Sequence, residues 1–200
     1  MIKIGITGGV GSGKSEVLRY LKERYGAVVL LADEAAALLE RKGQPCYNLL
    51  VKAFSGEILG NDGEIDRKKF ADIIFRDRDN LKKVNDIVHP AVRKYILDVI
   101  KSEEEKGTKL FILEAALLIE EGYDKILDEL WYVYTGESIR YERLKRDRGY
   151  SDEKIKSIMS RQLDEAVFRD KCRRVIENNG DIEALHHNIK LCVEEVIKSI

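Results

Sequence analysis

Proline and cysteine are scarce in this chain, and long apolar runs are missing from it. Two prolines among 200 residues, with 44% hydrophobic residues, argue against a disordered or collagen-like protein. The three cysteines are far apart and outside any CxxC or Cys/His spacing, which argues against a disulfide framework or a metal cluster. No apolar run approaches the roughly 18 residues that span a bilayer, and no leader pattern is visible. We therefore expect one compact, cytoplasmic domain.

The chain also lacks an excess of charge of either sign. Its 35 Lys and Arg residues nearly balance 36 Asp and Glu residues, and the formal net charge is -1. Without a global basic field, neither nucleic acid nor a membrane surface is an expected partner. Any site for an anion must therefore be local.

Strand and helix patterns alternate along the chain, which is typical of an α/β sheet. Apolar strands are predicted at 2–7, 27–31, 110–113, 130–134 and 174–176. The intervening stretch 46–106 has apolar residues at helical spacing instead, so we predict a helical insertion there. The last helix is predicted to follow Asp181 as its N-cap and to bury one apolar face, formed by Ile182, Leu185, Ile189, Val193 and Val196.

A glycine-rich motif follows the first predicted strand and opens a helix. Gly8-Gly9-Val10-Gly11-Ser12-Gly13-Lys14-Ser15 fits the pattern GxxxxGK(S/T) of a phosphate-binding loop. The glycines let backbone N–H groups close around phosphate oxygens, and the helix N-terminus adds partial positive charge. Lys14 is expected to reach the β- and γ-phosphates, and the Ser15 hydroxyl to ligate Mg²⁺. Glu16 either touches the water shell of that metal or simply stabilises the first helical turn.

Two acidic residues end predicted strands, where the crevice of a parallel sheet opens. Asp33 either accepts the proton of an attacking hydroxyl or caps the helix that follows it. Glu114 either helps to order Mg²⁺ or its water, or is a satisfied polar group at a strand end.

Two further features have both a functional and a structural interpretation. His89 precedes Pro90, and a proline in the first turn after a capping residue is also an ordinary helix start. A basic cluster lies after the fourth predicted strand, and Arg140, Arg143 and Arg146 recur there at helical spacing. Such a cluster is either a solvated face or a lid that brings guanidinium groups onto phosphates.

The ordered set of motifs resembles the dephospho-coenzyme A (CoA) kinases, which phosphorylate the ribose 3′-hydroxyl in the last step of CoA synthesis. The similarity runs over nearly the whole chain. Besides the phosphate-binding loop, the similar segments are Ala32-Asp33, Phe54-Ser55-Gly56, Gly63-Glu64-Ile65-Asp66-Arg67, Asn85-Asp86-Ile87-Val88-His89-Pro90, Leu117-Leu118-Ile119-Glu120, Arg143-Leu144-Lys145-Arg146, Arg161-Gln162 and Val175-Ile176-Glu177-Asn178-Asn179-Gly180.

The resemblance implies a P-loop NTPase-type fold with a five-stranded parallel sheet flanked by helices. Its core would comprise about 1–45, 107–136 and 174–200, with a helical CoA-binding insertion at 46–106 and a helical lid at 137–173. The implied partners are ATP with Mg²⁺ and 3′-dephospho-CoA, for a monomer or a small homo-oligomer.

The resemblance also implies roles for single residues, with Asp33 as the general base. The implied catalytic residues are Asp33, Lys14 and Arg143. The implied ATP-binding residues are Gly8, Gly9, Val10, Gly11, Ser12, Gly13, Lys14, Ser15, Glu16, Arg146 and Asn178, with Ser15 as the metal ligand. The implied substrate-binding residues are Asp33, His89, Glu114 and Arg140.

The chain departs from the family pattern at four places. Leu31 stands where the family usually has a first Asp, and Ala116 stands where a Pro is common. Cys172-Arg173 replaces a usual Ala-Asp pair, and Arg140 stands where Gln is common. The alternative functions are a P-loop kinase for another small hydroxyl substrate, such as a nucleoside, nucleotide or sugar acid, and a regulatory NTPase. A GTPase of that last kind would need the Asn-Lys-x-Asp pattern, which the chain lacks.

Overall fold

The computed structural model describes residues 1–198 and divides into two compact units. The first unit comprises residues 1–29 and those from Gly107 onward, and the second comprises Leu30–Lys106. The second unit therefore begins earlier than the predicted insertion 46–106, whose role in substrate binding stays a prediction. Positions 199 and 200 of the predicted core lie outside the described residues.

Five strands form one sheet in the order β2-β3-β1-β4-β5. Their bounds are β1 Ile2–Thr7, β2 Val28–Leu31, β3 Leu110–Glu114, β4 Glu129–Tyr134 and β5 Arg174–Glu177. β1 pairs in parallel with both β3 and β4, and β4 pairs in parallel with β5. This confirms the predicted α/β fold with a five-stranded parallel sheet.

The central strands are apolar because both faces of the sheet are covered. Ile6, Phe111, Leu113, Trp131 and Val133 are fully buried. A parallel sheet with helices on both faces needs such near-continuous apolar strands. Because both faces of these strands are buried, each strand appears in the sequence as a short apolar run, and that run was sufficient to predict it.

Nine α-helices are described, and a short 3-10 helix covers Tyr123–Lys125. Their bounds are α1 Lys14–Tyr25, α2 Ala32–Leu39, α3 Pro45–Ala53, α4 Arg67–Arg76, α5 Arg78–Glu105, α6 Glu137–Arg148, α7 Asp152–Met159, α8 Glu165–Lys171 and α9 Ile182–Lys198. None of the helices in the described part of the chain is long and apolar enough to cross a membrane.

The last helix follows the sequence pattern closely. Asp181 caps α9 by accepting a hydrogen bond from the Ala184 backbone N–H at 2.9 Å. Four of its five predicted core residues are buried, whereas Ile182, at the first helical position, is 42% exposed.

The second unit contains α2 to α5, and its longest helix corrects one interpretation. α5 runs without a break through Pro90, so His89-Pro90 is not a helix start. The helix begins after Asp77, whose side chain accepts a hydrogen bond from the Asp79 N–H at 2.9 Å. An interior proline removes one helical hydrogen bond, but the buried face that includes Val88 and Val92 continues on both sides of it.

Candidate active site

The loop between β1 and α1 has the geometry of an anion site. Gly13 is the N-cap of α1 at φ 92° and no side chain caps the helix, so the first amide groups of α1 are left for a ligand. The Ser12 N–H donates to the Gly9 carbonyl at 3.1 Å, which closes the loop on itself. The predicted order of strand, glycine-rich loop and helix is therefore confirmed.

Two glycines of the loop leave room for side chains of other elements. A Cβ at Gly9 would lie 2.5 Å from Cζ of Arg140, and a Cβ at Gly13 would lie 2.2 Å from Nδ2 of Asn178. Neither distance is compatible with a larger residue, so only glycine allows these two groups to approach the loop.

Lys14 lies folded against the loop from which it emerges. Its Nζ donates to the Gly8 carbonyl at 2.9 Å and lies 3.6 Å from Oε1 of Glu114 at the end of β3. Both side chains are less than one-fifth exposed. The structure thus brings together two residues that were predicted separately, the phosphate-binding Lys14 and the strand-end carboxylate Glu114.

The two residues after Lys14 differ in what they contact. Ser15 is exposed at the first turn of α1. Glu16 instead receives hydrogen bonds from Arg19, at 2.5 and 3.0 Å, and its Oε1 lies 2.9 Å from Nε2 of His186. The Arg19 hydrogen bonds, more than His186, hold the pKa of Glu16 below its ordinary value. The carboxylate of Glu16 is therefore already paired within the protein.

A buried polar network fixes the C-terminal end of the loop. The Ser12 carbonyl accepts hydrogen bonds from Oγ1 of Thr135 at 2.9 Å and from Nδ2 of Asn178 at 2.7 Å. Thr135 Oγ1 also lies 3.2 Å from the Asn178 carbonyl, to which Nη2 of Arg143 donates at 3.2 Å. Ser12, Thr135 and Asn178 are each at most 6% exposed. The predicted site residues Arg143 and Asn178 thus meet the loop through shared carbonyl groups.

Thr135 is a site residue that the sequence analysis missed. It is the first residue after β4, and β1 and β4 are parallel neighbours, so their carboxyl ends meet at one edge of the sheet. A hydroxyl residue at that strand end was the available signal, because Asp33 and Glu114 were selected by the same criterion.

Arg140 lies on α6, within the predicted lid, and contacts the phosphate-binding loop. Its Nε donates to the Val10 carbonyl at 3.0 Å, and its Nη2 donates to the side-chain oxygen of Gln162 between α7 and α8. Burial lowers the pKa of its guanidinium from the ordinary value.

Arg146 does not share the face of α6 that carries Arg140 and Arg143. Its side chain is 74% exposed and forms a 2.6 Å ion pair with Asp147. Arg146 lies about 120° around the helix from Arg140, and of these three arginines only Arg140 and Arg143 contact the loop or its hydrogen-bond network. Its role in ATP binding stays a prediction.

Asp33 and His89 belong to the second compact unit. Asp33 lies exposed in the first turn of α2. Leu31 is the N-cap of that helix, so the alternative interpretation of Asp33 as the cap is wrong. His89 lies half-buried in the middle of α5.

Comparison with known proteins agrees with this geometry. The dephospho-CoA kinase family model matches residues 2–184. The chain belongs to the dephospho-CoA kinase family. A dephospho-CoA kinase of Aquifex aeolicus (strain VF5) is 39% identical over 198 residues, covering 99% of this chain and 99% of that protein. One of Geobacillus kaustophilus (strain HTA426) is 38% identical over 182 residues, covering 91% and 90%.

A solved structure shares the fold of this chain. The crystal structure of a Thermus thermophilus protein is 31% identical and covers 97% of each chain, with a TM-score of 0.82. The family, the P-loop kinase fold and the kinase activity predicted from the sequence are confirmed. The roles of single residues stay predictions.

Proposed function

We propose that the protein transfers the γ-phosphoryl group of ATP to the 3′-hydroxyl of the ribose of 3′-dephospho-CoA, giving CoA and ADP. The observation that carries this proposal is a phosphate-binding loop, closed at the uncapped N-terminus of α1, in a chain that matches the dephospho-CoA kinase family over residues 2–184. Phosphoryl transfer asks a protein mainly for alignment and for neutralisation of charge.

The ATP phosphates bind along Gly8 to Ser15. Lys14 exchanges its contact with the Gly8 carbonyl for the β- and γ-phosphate oxygens, which are stronger acceptors because they are charged. Arg143 stabilises the charge that develops on the transferred group, and its hydrogen bond to the Asn178 carbonyl keeps it beside the loop. Asn178 shapes the nucleotide site, since its amide supports the carbonyl of Ser12.

The predicted ATP-binding set also includes Arg146 and Glu16. Each side chain would have to leave a present contact before it could bind ATP or the water shell of the metal. Arg146 would leave the exposed ion pair with Asp147, which contributes little because solvent screens it. Glu16 would contact the water shell of the metal only by leaving Arg19 or His186. Its present contacts support the structural interpretation at least as well.

The donor set beside the loop fits Mg²⁺. The exposed Ser15 hydroxyl and the Glu114 carboxylate are hard oxygen groups, which Mg²⁺ prefers, and it keeps waters and phosphate oxygens as its other ligands. No group of three or more His, Cys, Asp or Glu side chains among the described residues resembles a metal cage. When bound, the ion neutralises charge on the β- and γ-phosphates.

On the acceptor side, Asp33 orients the ribose 3′-hydroxyl and takes its proton. Its exposed place in the first turn of α2 leaves the carboxylate accessible to a ligand. His89 and Arg140 bind the acceptor, as the family resemblance implies, and Glu114 acts with them. We further propose a cytoplasmic monomer or small homo-oligomer without a nucleic-acid partner.

An ADP-release assay tests the reaction. Mg·ATP is supplied with 3′-dephospho-CoA, adenosine, AMP, shikimate or gluconate, or without an acceptor. We expect rapid ADP formation with dephospho-CoA alone and a product one phosphate group heavier. Faster turnover with another acceptor would mean that this acceptor, and not dephospho-CoA, is the substrate. Turnover without any acceptor would favour a regulatory NTPase.

A further inference from the structure

The guanidinium of Arg140 is a half-buried cation that lies on the phosphate-binding loop. Its Nε donates to the Val10 carbonyl at 3.0 Å, and a Cβ at Gly9 would lie only 2.5 Å from its Cζ. Among the described residues, it forms no ion pair with an Asp or Glu side chain. An arginine is not deprotonated in proteins, so its positive charge stays beside the loop without a counter-charge from the protein.

Gln162 provides the second acceptor for this guanidinium. It lies in the short connection between α7 and α8, and its side-chain oxygen accepts a hydrogen bond from Nη2 of Arg140. An arginine side chain is long and flexible, so acceptors at two different nitrogen atoms are needed to fix the orientation of its planar group. A glutamine fixes the group without cancelling its charge, whereas a carboxylate at this position would pair with it.

The contact with Val10 also constrains the backbone of the loop. The Val10 carbonyl and the Gly11 N–H belong to one planar peptide group and point in opposite directions. Because the carbonyl is directed toward Arg140, the Gly11 N–H is directed away from the guanidinium. A Cβ at Gly11 would lie 3.2 Å from both the Arg140 carbonyl oxygen and Cγ of Leu144, so α6 packs closely on the same part of the loop. Arg140 therefore contributes both a charge beside the loop and a constraint on its shape.

We propose that Gln162 is a positioning residue for ATP binding, because it holds the unpaired charge of Arg140 against the loop that binds the ATP phosphates. The inference rests on the proposed function, in which Gly8 to Ser15 bind those phosphates. It adds an effect on ATP to the acceptor role that the family resemblance implies for Arg140. Since Arg140 stands where the family commonly has Gln, this charge is a property of this chain and not of the family pattern.

Gln162→Leu tests the positioning role, because it removes the acceptor and roughly keeps the volume. We expect the Kd for a non-hydrolysable ATP analogue, measured by calorimetry without an acceptor substrate, to rise about 10-fold, which is the scale of one hydrogen bond to a charged group. In the Arg140→Ala background the same substitution should have no further effect, because a positioning residue acts only through its partner. Gln44→Leu, at the other glutamine of the chain, is the matched control and should keep the Kd.

Gln162→Glu separates the placement of a charge from the mere attachment of the α7–α8 connection. The introduced carboxylate still accepts from Arg140, so the midpoint of urea unfolding should not fall. It also cancels the positive charge beside the phosphates, so the Kd for the analogue should rise and should depend less on salt. Gln44→Glu makes the same change of charge in the second unit and should leave the Kd unchanged.

Three results would overturn the proposal. They are an unchanged Kd in Gln162→Leu, a further rise of the Kd when Gln162→Leu is added to Arg140→Ala, and an unchanged Kd in Gln162→Glu, which would mean that the contact only attaches the α7–α8 connection. A failure of the proposed function looks different, because the analogue would still bind while the unaltered protein would not phosphorylate dephospho-CoA.

Discussion

At the scale of single residues, Asp33 carries the most specific chemical claim. A carboxylate that acts on the acceptor hydroxyl should affect turnover and not nucleotide binding. We predict that Asp33→Asn lowers kcat by about 10²- to 10⁴-fold, which is the usual contribution of a general base. Steady-state kinetics with dephospho-CoA would measure this, and the Kd for ATP from calorimetry should stay unchanged.

Asp72→Asn is the control for this substitution. Asp72 is an exposed carboxylate on α4 in the same unit, so its loss changes the charge of the unit equally without removing the proposed base. A parallel loss of ATP affinity in Asp33→Asn would contradict the role of base, since the defect would then lie in nucleotide binding.

The second prediction at the scale of residues concerns Thr135. Its hydroxyl lies within hydrogen-bond distance of two carbonyl oxygens, those of Ser12 and Asn178. Thr135→Val keeps the shape but leaves the Ser12 carbonyl with the Asn178 amide alone, at a site that is almost fully buried. We predict a loss of about 0.5–1.5 kcal/mol in the free energy of unfolding, since both carbonyls keep another donor, and a raised KM for ATP. Urea unfolding and kinetics would measure the two effects.

Thr135→Ser separates the hydrogen bond from the packing. It keeps the hydroxyl and loses only a methyl group, so the KM for ATP should return close to the original value. If Thr135→Ser and Thr135→Val raised that KM equally, the hydroxyl would have no part in shaping the loop.

At the scale of elements, the two ends of α1 show what the phosphate-binding loop adds to an ordinary helix. Gly13 precedes the helix at φ 92°, and Gly26 follows it at φ 62°, both in the left-handed region. No atom lies near the Cβ that Gly26→Ala would add, whereas the one added by Gly13→Ala would meet Nδ2 of Asn178.

Substitution by alanine should therefore have different results at the two ends. We predict that Gly26→Ala costs about 1 kcal/mol of stability from backbone strain and leaves kinetics unchanged. Gly13→Ala should cost more and also raise the KM for ATP, because Asn178 must leave the Ser12 carbonyl. Equal kinetic effects at both ends would mean that the helix as a whole, and not its N-terminal loop, determines ATP binding.

The sequence predicted those elements whose signal is local. The strands appear as apolar runs because both faces of the sheet are buried, and α9 appears because its cap and its buried face share one segment. The continuity of α5 through Pro90 is not local, since it depends on a buried face that runs from Val84 to Ile100 within a helix of 28 residues. The spacing placed Arg146 together with Arg140 and Arg143, whereas in the structure its side chain is exposed and paired with Asp147.

The partners of the site residues were even less accessible from the sequence. Thr135, Asn178 and Ser12 meet only because β1, β4 and β5 are neighbours in the sheet. The spacing of these three residues along the chain does not indicate the order of the strands in the sheet. Motifs therefore identified most of the candidate residues, whereas the network that holds them had to come from the structure.

At the scale of the whole molecule, the two compact units are expected to respond to different substrates. The loop, Lys14 and Arg143 belong to the first unit, whereas Asp33 and His89 belong to the second. A ligand that binds only the closed form of a unit lowers the population of the open form. The factor is about 1 plus the ratio of ligand concentration to Kd, so it grows with that ratio. Each substrate should therefore protect one unit more than the other.

Two buried cysteines can report this protection, because each unit contains one of them. Cys46 is buried in the second unit, and burial raises the pKa of its thiol. In the first unit, burial raises the pKa of Cys172 to about 12 and that of Cys192 to about 11. The thiolate is the reactive form, so at pH 8 the buried thiols of Cys46 and Cys172 should react with a disulfide reagent only through opening. Cys192 is partly exposed and does not serve as a reporter of opening.

We predict selective protection in such an experiment. A non-hydrolysable ATP analogue at 100 times its Kd should slow the labelling of Cys172 by about 100-fold, provided that reclosing outpaces labelling, and should slow the labelling of Cys46 much less. S-methylated dephospho-CoA, which lacks a competing thiol, should do the reverse. Mass spectrometry of the labelled peptides distinguishes the sites. If either ligand protected Cys46 and Cys172 equally, the chain would open as one cooperative body, and the substrates would be coupled through its global stability.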